Sequence, residues 1–441
     1  MPEWLWVVAG FVLFVLALLF SVALHELGHL TFAKLFDVRT TQYMVGFGRT
    51  LFSRQRGETE YGLKAIPLGG YIRMVGMVPP DKQGRQRITT TSLGPAGIVR
   101  QIVEDARNGD RAQVSPADEG RQFYQLHPAK RIVIMLAGPL MNLVIAVFVF
   151  AALLMGLGVN SPTTTIAAVN ACIIPTSDAG AGRTCAPGDA PTPAAVVGLL
   201  PGDRIVSFGG TAVQTWDELT PLIRDSAGQT VPLVYERAGQ QVTVQVPVTE
   251  NERGIYDDVG KQIGTEQVGF LGVSATTAYQ TQSFGTAVDR TGEFIGRAAQ
   301  AVVNIPARIP ALWDSIFSGQ PRDVNTPVGI YGAGRIGGEI LASDFSAKDK
   351  ISLFLNLVAG FNMSLFLINL LPLLPLDGGH VLGAAIEWLR RGWAKVRRKA
   401  DPGPFDVAKL MPVAYVVALL FIGLTVLTFV ADVVNPIKLF G

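Results

Sequence analysis

The chain has 441 residues, of which 49% are hydrophobic and only 16% are charged, and its mean hydropathy is +0.34. Soluble globular chains carry about 25% charged residues, so this composition excludes an ordinary soluble enzyme and indicates a polytopic membrane protein. The formal net charge of +2 gives no reason to expect a nucleic-acid partner.

Four uncharged runs are long enough to cross a bilayer, which takes about 20 apolar residues in a helix. They cover residues 4–24, 132–158, 351–376 and 410–431. We therefore expect four transmembrane helices. The first run has no basic segment before it and no small-residue cleavage site after it, so we expect a retained helix rather than a removed signal peptide.

The first predicted helix, within residues 1–35, ends in the motif His25-Glu26-Leu27-Gly28-His29. Two histidines four residues apart project from one face of a helix, where both imidazoles can bind one metal ion. Glu26 can then serve as a general base. A charge inside a bilayer costs about 3 kcal/mol or more, and a bound metal compensates for that cost. The alternative is a pair of histidines that only form hydrogen bonds within a helical bundle.

The segment after the first span, residues 36–131, has two different parts. Apolar and polar positions alternate around glycines and prolines in residues 38–78, a pattern that predicts strands and turns. Residues 79–130 are polar, and we read no function from them. The second span follows at residues 132–158.

A long segment separates the second and third spans. Residues 159–250 contain a predicted short helix that begins with the capping box Thr215-Trp216-Asp217-Glu218, and two valine-rich strands follow. This arrangement resembles a bacterial PDZ domain, and Leu200-Pro201-Gly202-Asp203-Arg204-Ile205 is its most recognisable part. Cys172 and Cys185 are the only cysteines in the chain, and a local disulfide between them is expected if this segment lies outside the cell.

Residues 251–345 are predicted to be a linker with amphipathic helices. Apolar residues recur at helical spacing in residues 286–318, between Arg and Asp side chains. We interpret them as helices that lie on the outer membrane surface. An ordinary packed pair of helices is the alternative.

The third span region, residues 346–389, carries a candidate third metal ligand. A tetrahedral catalytic zinc needs three protein ligands and one open position. Asp377 is the only acidic residue between Lys350 and Glu387. The nearby prolines break the helix and expose backbone, which a membrane tolerates only beside protein or a water-filled cavity. A kinked span with an interfacial aspartate is the alternative.

Two further polar residues flank this acid. Asn369 is a candidate to hold the substrate backbone or the developing oxyanion, although a helix–helix hydrogen bond would also explain it. His380 lies three residues after Asp377 and is predicted to support the ligands, with direct metal binding as the alternative.

The charge balance of the loops predicts the orientation of the chain. Residues 36–131 contain 15 Lys and Arg against 9 Asp and Glu, whereas residues 160–340 contain 11 against 17. The loop at 390–409, before the fourth span at 410–432, is also basic. Basic loops remain in the cytoplasm, so both termini, including the tail 433–441, are predicted to be extracytoplasmic. The basic cluster at 390–399 is interpreted as a topology signal in preference to a dedicated lipid or partner site.

The motif at His25 to His29, combined with Leu376-Asp377-Gly378, resembles the site-2 proteases, which are intramembrane zinc metalloproteases. Gly69-Gly70-Tyr71-Ile72-Arg73-Met74 is similar to that family's membrane-associated β-loop, here at about residues 60–78, and Gly138-Pro139-Leu140-Met141-Asn142 also matches. The order of elements is similar to the bacterial regulator-of-sigma-E-protease-like subgroup, in the single-PDZ form of actinobacterial members. The implied fold is a polytopic α-helical membrane protein with four transmembrane helices, the β-loop and an extracytoplasmic PDZ-like α+β domain.

The resemblance implies an intramembrane metalloendopeptidase with one Zn²⁺ per chain. It implies that His25, His29 and Asp377 bind the zinc, that Glu26 is the general base and that Asn369 positions the substrate.

The resemblance also implies supporting residues and partners. Asn142 and His380 would support the ligands, and a substrate strand would pair with the edge formed by Gly70, Tyr71, Ile72, Arg73 and Met74. The implied substrates are single-pass membrane proteins of the anti-sigma-factor kind, already cut by a site-1 protease, in the bacterial cytoplasmic (inner) membrane.

Two other functions fit some of the same features. A non-catalytic scaffold would keep the fold and hold partners on its PDZ-like domain, but the intact Glu26 and complete ligand set argue against it. A metal transporter would also place His and Asp within the membrane. Transporters usually contain internal repeats, and we find none in the sequence.

Overall fold

A computed structural model describes residues 3–80, 115–173, 184–186, 188–256, 262–319 and 322–437. The helices are α1 (Glu3–Leu35), α2 (Pro128–Ala152), α3 (Pro193–Val196), α4 (Trp216–Asp225), α5 (Phe284–Val303), α6 (Ile305–Phe317), α7 (Ile330–Ala342), α8 (Ala347–Asn369), α9 (Asp377–Val396) and α10 (Met411–Val434). The strands are β1 (Thr40–Arg56), β2 (Thr59–Met74), β3 (Val159–Val169), β4 (Arg204–Phe208), β5 (Thr211–Ala212), β6 (Thr230–Arg237), β7 (Gln240–Pro247), β8 (Thr249–Tyr256), β9 (Gln262–Phe270) and β10 (Val273–Gln280). Most of the polar segment 79–130 lies outside the described residues.

The chain divides into two compact units. Residues 1–156 and 283–441 form the first, which we call the membrane unit, and residues 157–282 form the second, which we call the β unit. The predicted amphipathic segment at 286–318 forms α5 and α6 in the membrane unit, and Asn304 separates them just before Pro306.

Among the described residues, four helices are long and apolar enough to cross a membrane. They span Trp4–Leu35, Pro128–Leu157, Ala347–Asn369 and Val407–Val434. Each overlaps one of the four uncharged runs, although the third helix ends at Asn369, before the end of its run at residue 376. Many large apolar side chains on them, including Phe20 and Phe148, are exposed. Exposed apolar side chains are expected where lipid replaces water around a helix whose backbone groups are bonded internally. The chain is a multi-pass membrane protein with a β domain.

The first helix ends in a compact turn that directs the chain into β1. Asp37 has a φ of +58°, and its N–H donates to the Lys34 carbonyl. The Val38 N–H donates to the Ala33 carbonyl across the same turn at 2.8 Å. These two bonds form a Schellman motif, which satisfies carbonyl groups that the helix end would otherwise leave without a donor.

Strands β1 and β2 form a small sheet beside α1. Residues 40–45 pair with residues 70–74, and residues 42–47 also pair with residues 60–66 on the other side. The far part of the hairpin pairs residues 50–56 with 59–64. Within this register, residues 70–74 have a strand partner on one side only. The hairpin is tied to α1 because the Tyr43 hydroxyl donates to the Ala23 carbonyl at 2.7 Å.

Small residues let α1 and α7 approach each other closely. A Cβ placed on Gly10 would lie 2.4 Å from the Gly337 carbonyl oxygen, so the backbones of the two helices are in contact. Close approach of this kind provides van der Waals attraction between helices in lipid, where the hydrophobic effect does not drive association. Phe14 adds an edge-on contact with Phe361 of α8.

A buried carboxylate joins the end of α10 to the start of α7. Asp432 accepts a hydrogen bond from Arg322 Nη1 at 2.8 Å and from the N–H groups of Gly329 and Gly332 at 3.0 and 2.9 Å. Both charged side chains are buried. Asp432 therefore caps the N-terminus of α7, where the helix dipole favours a negative charge.

The β unit is built around one twisted sheet. Its strand order is β10-β3-β4-β6-β7, with β5 attached to β4, and β8 and β9 form a separate hairpin. The buried core between this sheet and α4 contains Ile166, Leu199, Ile205, Phe208, Leu219, Leu233 and Val246. Because β10 pairs with β3, the unit extends to residue 282 instead of ending near residue 250, where the sequence analysis began a linker.

A disulfide and an ion pair with a buried carboxylate stabilise the β unit. Cys172 and Cys185 form a disulfide. Arg237 donates two hydrogen bonds of 2.7 Å to the buried Asp203 carboxylate. The Arg237 guanidinium holds the pKa of Asp203 below its usual range. This carboxylate therefore stabilises the fold above the unfolded-state pKa of about 3.9, and the contribution is lost only as the pH falls through the lower folded-state pKa.

Candidate metal centre

The two motif histidines converge on one point beside α1. His25, Glu26 and His29 are all buried. The Nε2 atoms of the two histidines lie 3.2 Å apart. The helix produces this arrangement because residues four apart lie one above the other on the same face. Two neutral imidazoles in such contact both present a ring nitrogen to the same space.

Asp377 completes the group from the first turn of α9. Its Oδ2 atom lies 3.3 Å from His25 Nε2 and 3.4 Å from His29 Nε2. Two glycines make this placement possible, since a Cβ on Gly378 would lie 2.2 Å from the Leu371 carbonyl oxygen and one on Gly379 would lie 2.6 Å from the Leu374 nitrogen. The chain can therefore fold back on itself immediately before the helix.

The three ligand atoms have the spacing of a tetrahedral zinc site. With zinc–ligand bonds of about 2.0–2.1 Å, neighbouring ligands of a tetrahedron lie about 3.3–3.4 Å apart. The observed separations are 3.2, 3.3 and 3.4 Å. Two imidazole nitrogens and one carboxylate oxygen suit Zn²⁺ and leave the fourth position open. Within the described residues, these are the His, Cys, Asp and Glu side chains that come together as a potential metal site.

The backbone of α2 orients His29. His29 Nδ1 lies 2.7 Å from the Ile134 carbonyl oxygen. A carbonyl can only accept, so Nδ1 carries the proton and Nε2 presents its lone pair to the metal position. Gly138 makes room for the ring, because a Cβ there would lie 2.1 Å from His29 Nε2.

Asn142 contacts the other histidine, where the sequence analysis expected a supporting residue. Its Nδ2 atom lies 3.1 Å from His25 Nδ1, and its buried Oδ1 has no hydrogen-bond partner in the described part of the chain. Rotating the amide by 180° places Oδ1 against His25 Nδ1, in the same volume. Oδ1 then accepts the Nδ1 proton, and His25 Nε2 is free to bind a metal. A site with metal present requires this second orientation.

Glu26 lies between the ligands and the β2 edge. The backbone N–H of Ile72 faces its carboxylate. A Cβ on Gly70 would lie 2.9 Å from Glu26 Cγ, so residues 70–74 pass directly over this side chain. A carboxylate in this position is within reach of both the metal-ligand group and an extended chain alongside the strand.

Two other candidates from the sequence analysis are less closely involved. Asn369 is half-buried at the end of α8, and its amide makes no hydrogen bond to the three ligands within the described residues. His380 lies one turn after Asp377 on α9, and its ring nitrogens are not among the three converging atoms.

One polar contact near the motif was not predicted from the sequence. Asn362 of α8 donates to Ser21 Oγ at 3.0 Å, and both residues are buried. Ser21 lies one turn before His25. Three asparagines lie inside the uncharged run 351–376, and Asn362 is one of them. This was the available signal, because membrane helices use such residues as interhelical hydrogen-bond donors.

A metal-ligand group with a neighbouring carboxylate, carried on apolar membrane helices, defines an intramembrane metalloprotease. The sequence profile of peptidase family M50 matches residues 13–401. The chain belongs to this family, the site-2 proteases, and is a zinc metalloprotease whose family acts on membrane-protein substrates.

The sequences of individual relatives align with most or nearly all of this chain. It is 35% identical to zinc metalloprotease Rip1 of Mycobacterium tuberculosis strain H37Rv, covering 98% of this chain and 99% of the relative. It is 34% identical to zinc metalloprotease Rip1 of Mycolicibacterium smegmatis, covering 98% of each chain. Zinc metalloprotease RasP of Oceanobacillus iheyensis is 27% identical, with 86% of this chain and 90% of the relative covered.

Replacing Gly138 by alanine should displace the His29 ring, because the new Cβ would overlap Nε2. We expect bound zinc to fall below about half of the wild-type occupancy and proteolysis to fall about tenfold or more, since displaced ligands weaken metal binding strongly. Metal analysis of the purified protein and a substrate-cleavage assay measure the two effects. Gly360→Ala is the matched control, since no atom lies within 4 Å of the added Cβ. Unchanged zinc content in Gly138→Ala would show that the His29 ring does not depend on this contact.

Proposed function

We propose that His25, His29 and Asp377 hold the catalytic zinc and that the enzyme hydrolyses peptide bonds in transmembrane segments. The single observation that carries this proposal is the 3.2–3.4 Å spacing of the three ligand atoms. These three side chains would hold the ion, and bound zinc would supply Lewis acidity for a peptide carbonyl and for a water molecule, whose pKa it would lower to about 7. The metalloprotease names of the relatives favour this function over a scaffold or a metal transporter.

Glu26 is the proposed general base. Its carboxylate is buried near the ligands and faces the Ile72 N–H. It can accept a proton from the attacking water and return it to the leaving amine, which keeps the proton inside a site that lipid surrounds. Asn369 is proposed to hold the substrate backbone near the reacting carbonyl. Its position at the end of α8, eight residues before Asp377, supports this role.

Replacing Glu26 by glutamine tests the catalytic proposal. We expect the variant to keep bound zinc and to cleave about 100- to 10,000-fold more slowly, the usual contribution of a general base. Asp377→Ala should instead lose the metal and the activity together. Metal analysis and cleavage of a single-pass anti-sigma-factor transmembrane segment in detergent give both readouts. Wild-type protein without zinc, or full activity in Glu26→Gln, would contradict the assignment.

Residues 70–74 are proposed to bind the substrate as an added strand. A helix hides its peptide carbonyls in internal hydrogen bonds, so a transmembrane substrate has to unwind before hydrolysis. The one-sided pairing of residues 70–74 leaves backbone groups available for an extended chain. The contact of this strand with Glu26 supports cleavage of a chain bound there.

Crosslinking tests the strand proposal. A photoreactive amino acid at Arg73, which is exposed on this strand, should crosslink a bound substrate in the Glu26→Gln background. The same probe at Arg56, exposed near the far turn of the hairpin, is the control. We expect several times more adduct from position 73. Equal yields at the two positions would argue against binding along residues 70–74.

The β unit is proposed to be an extracytoplasmic PDZ-like domain that screens substrates. Helix α4 borders a cleft of about 460 Å³ lined by Trp216, Ile223, Arg224, Phe270 and Val273, among others. Strand β10 ends the sheet order, so it has an edge for a peptide to join. The acidic balance of residues 160–340 supports an exterior location by the positive-inside rule, with both termini outside a bacterial cytoplasmic membrane.

Screening would admit single-pass anti-sigma-factor-like proteins that a site-1 protease has already trimmed. Replacing residues 157–282 with a flexible Gly/Ser linker should let the enzyme cleave an untrimmed substrate at a rate within about threefold of the trimmed one. The trimmed substrate in the same variant is the control for intact chemistry. If the variant cleaves the trimmed substrate and still rejects the untrimmed one, the β unit is not the screen.

A further inference from the structure

The helix that begins at the metal ligand Asp377 has a second, exposed surface at its other end. Leu389, Trp393 and Val396 of α9 are 75%, 61% and 80% exposed. Their spacing of four and three residues places them on one face of the helix. The opposite face is packed, since Glu387 and Ala394 are buried. The helix therefore has one face packed inside the protein and an apolar face exposed outside it.

A set of cations surrounds this exposed apolar face. The side chains of Arg390, Lys395, Arg397, Arg398 and Lys399 are exposed, and none of them forms an ion pair within the described residues. We call these five residues the basic patch. The Arg397 guanidinium lies 4.4 Å from the centroid of the Trp393 ring, which joins the basic patch to the apolar face.

The neighbouring acids do not neutralise the basic patch. Glu387 is buried and is paired with Arg131 of α2 at 2.5 Å and with Arg391 at 3.1 Å. Asp401 is paired with the same Arg391 at 3.4 Å. Both carboxylates are therefore directed toward other cations. The positive charge of the basic patch remains available to an external anion.

We propose that the end of α9 is a binding surface for anionic phospholipids of the surrounding bilayer. The charge count alone favoured a topology signal over a lipid site at residues 390–399, and the exposed apolar face beside these cations changes that interpretation. The exposed Leu, Trp and Val side chains would insert among the acyl chains, and the basic patch would contact lipid phosphates. Cations beside an exposed apolar helical face are the combination that anionic membrane surfaces attract. Continuity with the fourth span supports a lipid rather than a soluble anion, because the chain enters α10 only 15 residues after Val396.

The helix that carries this surface is fixed to the rest of the membrane unit. The Arg131–Glu387 pair fixes the middle of α9 to α2, and Glu387 also accepts a hydrogen bond from the Phe405 N–H at 2.7 Å. A bound headgroup would therefore meet cations on a fixed helix and the turn after it. The proposal concerns lipid binding alone, so it does not depend on the assignment of the catalytic residues.

Lipid titration of the purified full-length protein tests this proposal. Native mass spectrometry in an uncharged detergent measures retention of phosphatidylglycerol and of phosphatidylcholine with the same acyl chains. We expect preferential retention of phosphatidylglycerol by the wild type. The triple variant Arg397→Gln, Arg398→Gln, Lys399→Gln should lose at least about fivefold in phosphatidylglycerol affinity, with phosphatidylcholine unchanged, because each surface cation contributes to anionic-lipid attraction.

Two matched variants test whether lipid affinity depends on the basic patch or only on the total positive charge of the protein. Arg49→Gln, Arg54→Gln, Arg56→Gln removes three other exposed cations from the membrane unit and should keep affinity within about twofold. Arg397→Lys, Arg398→Lys keeps the charge and should retain binding. Equal retention of both lipids by the wild type would overturn the proposal. So would an equal loss in the two glutamine variants, or wild-type affinity in the triple variant of the basic patch.

Discussion

The metal-ligand group depends on glycines. At these positions the backbone lies closer to neighbouring atoms than a residue with a Cβ would allow. His29 packs directly on Gly138, the β2 edge passes Glu26 at Gly70, and the chain before α9 folds back over Gly378. Each glycine makes room for one of the side chains that come together, which are His29, Glu26 and Asp377. In a membrane interior, where polar groups must find partners within the protein, such close packing also excludes lipid from the ligands. The geometry of the site therefore depends on these glycines as well as on the side chains proposed to bind the metal.

Orientation of the two imidazoles comes from α2, a different helix from the one that carries them. The Ile134 carbonyl and the Asn142 amide both face the Nδ1 atoms, so the Nε2 atoms face each other and Asp377. Partners of this kind fix the tautomer and raise the basicity of a ligating histidine. The pair Arg131–Glu387 then connects α2 to α9, the helix that begins with the third proposed ligand. One helix, α2, therefore organises ligands that come from two distant segments.

Much of this arrangement could be predicted from the sequence, because polar residues are rare in membrane-spanning segments and therefore stand out. The histidine spacing and the scarcity of acids near Asp377 single out three residues that the structure brings together. The four spans follow from uncharged runs, since length and apolarity decide whether a helix can cross a bilayer. Asn142 was named only through the family resemblance of the segment Gly138-Pro139-Leu140-Met141-Asn142.

The features that escaped prediction depend on long-range pairing or on backbone atoms. The Ile134 carbonyl has no sequence signature, since every residue carries one. Strand β10 pairs with β3 more than 100 residues earlier, and local alternation cannot identify such a partner, so the β unit was drawn too short. The double pairing of residues 40–47 was missed for the same reason. The roles of Asn369 and His380 remain proposals because neither residue belongs to the converging group.

The contact between Asp432 and Arg322 has a consequence for the order in which the chain is assembled. Arg322 is synthesised 110 residues before its partner, and its buried guanidinium also donates to the Pro327 carbonyl. A buried charge without its partner costs about 3–5 kcal/mol. Until the last span has been synthesised, Asp432 is absent. It can therefore neither pair with Arg322 nor cap the N-terminus of α7. A chain that ends before Asp432 would lack the carboxylate that pairs with Arg322 and bonds to the Gly329 and Gly332 N–H groups.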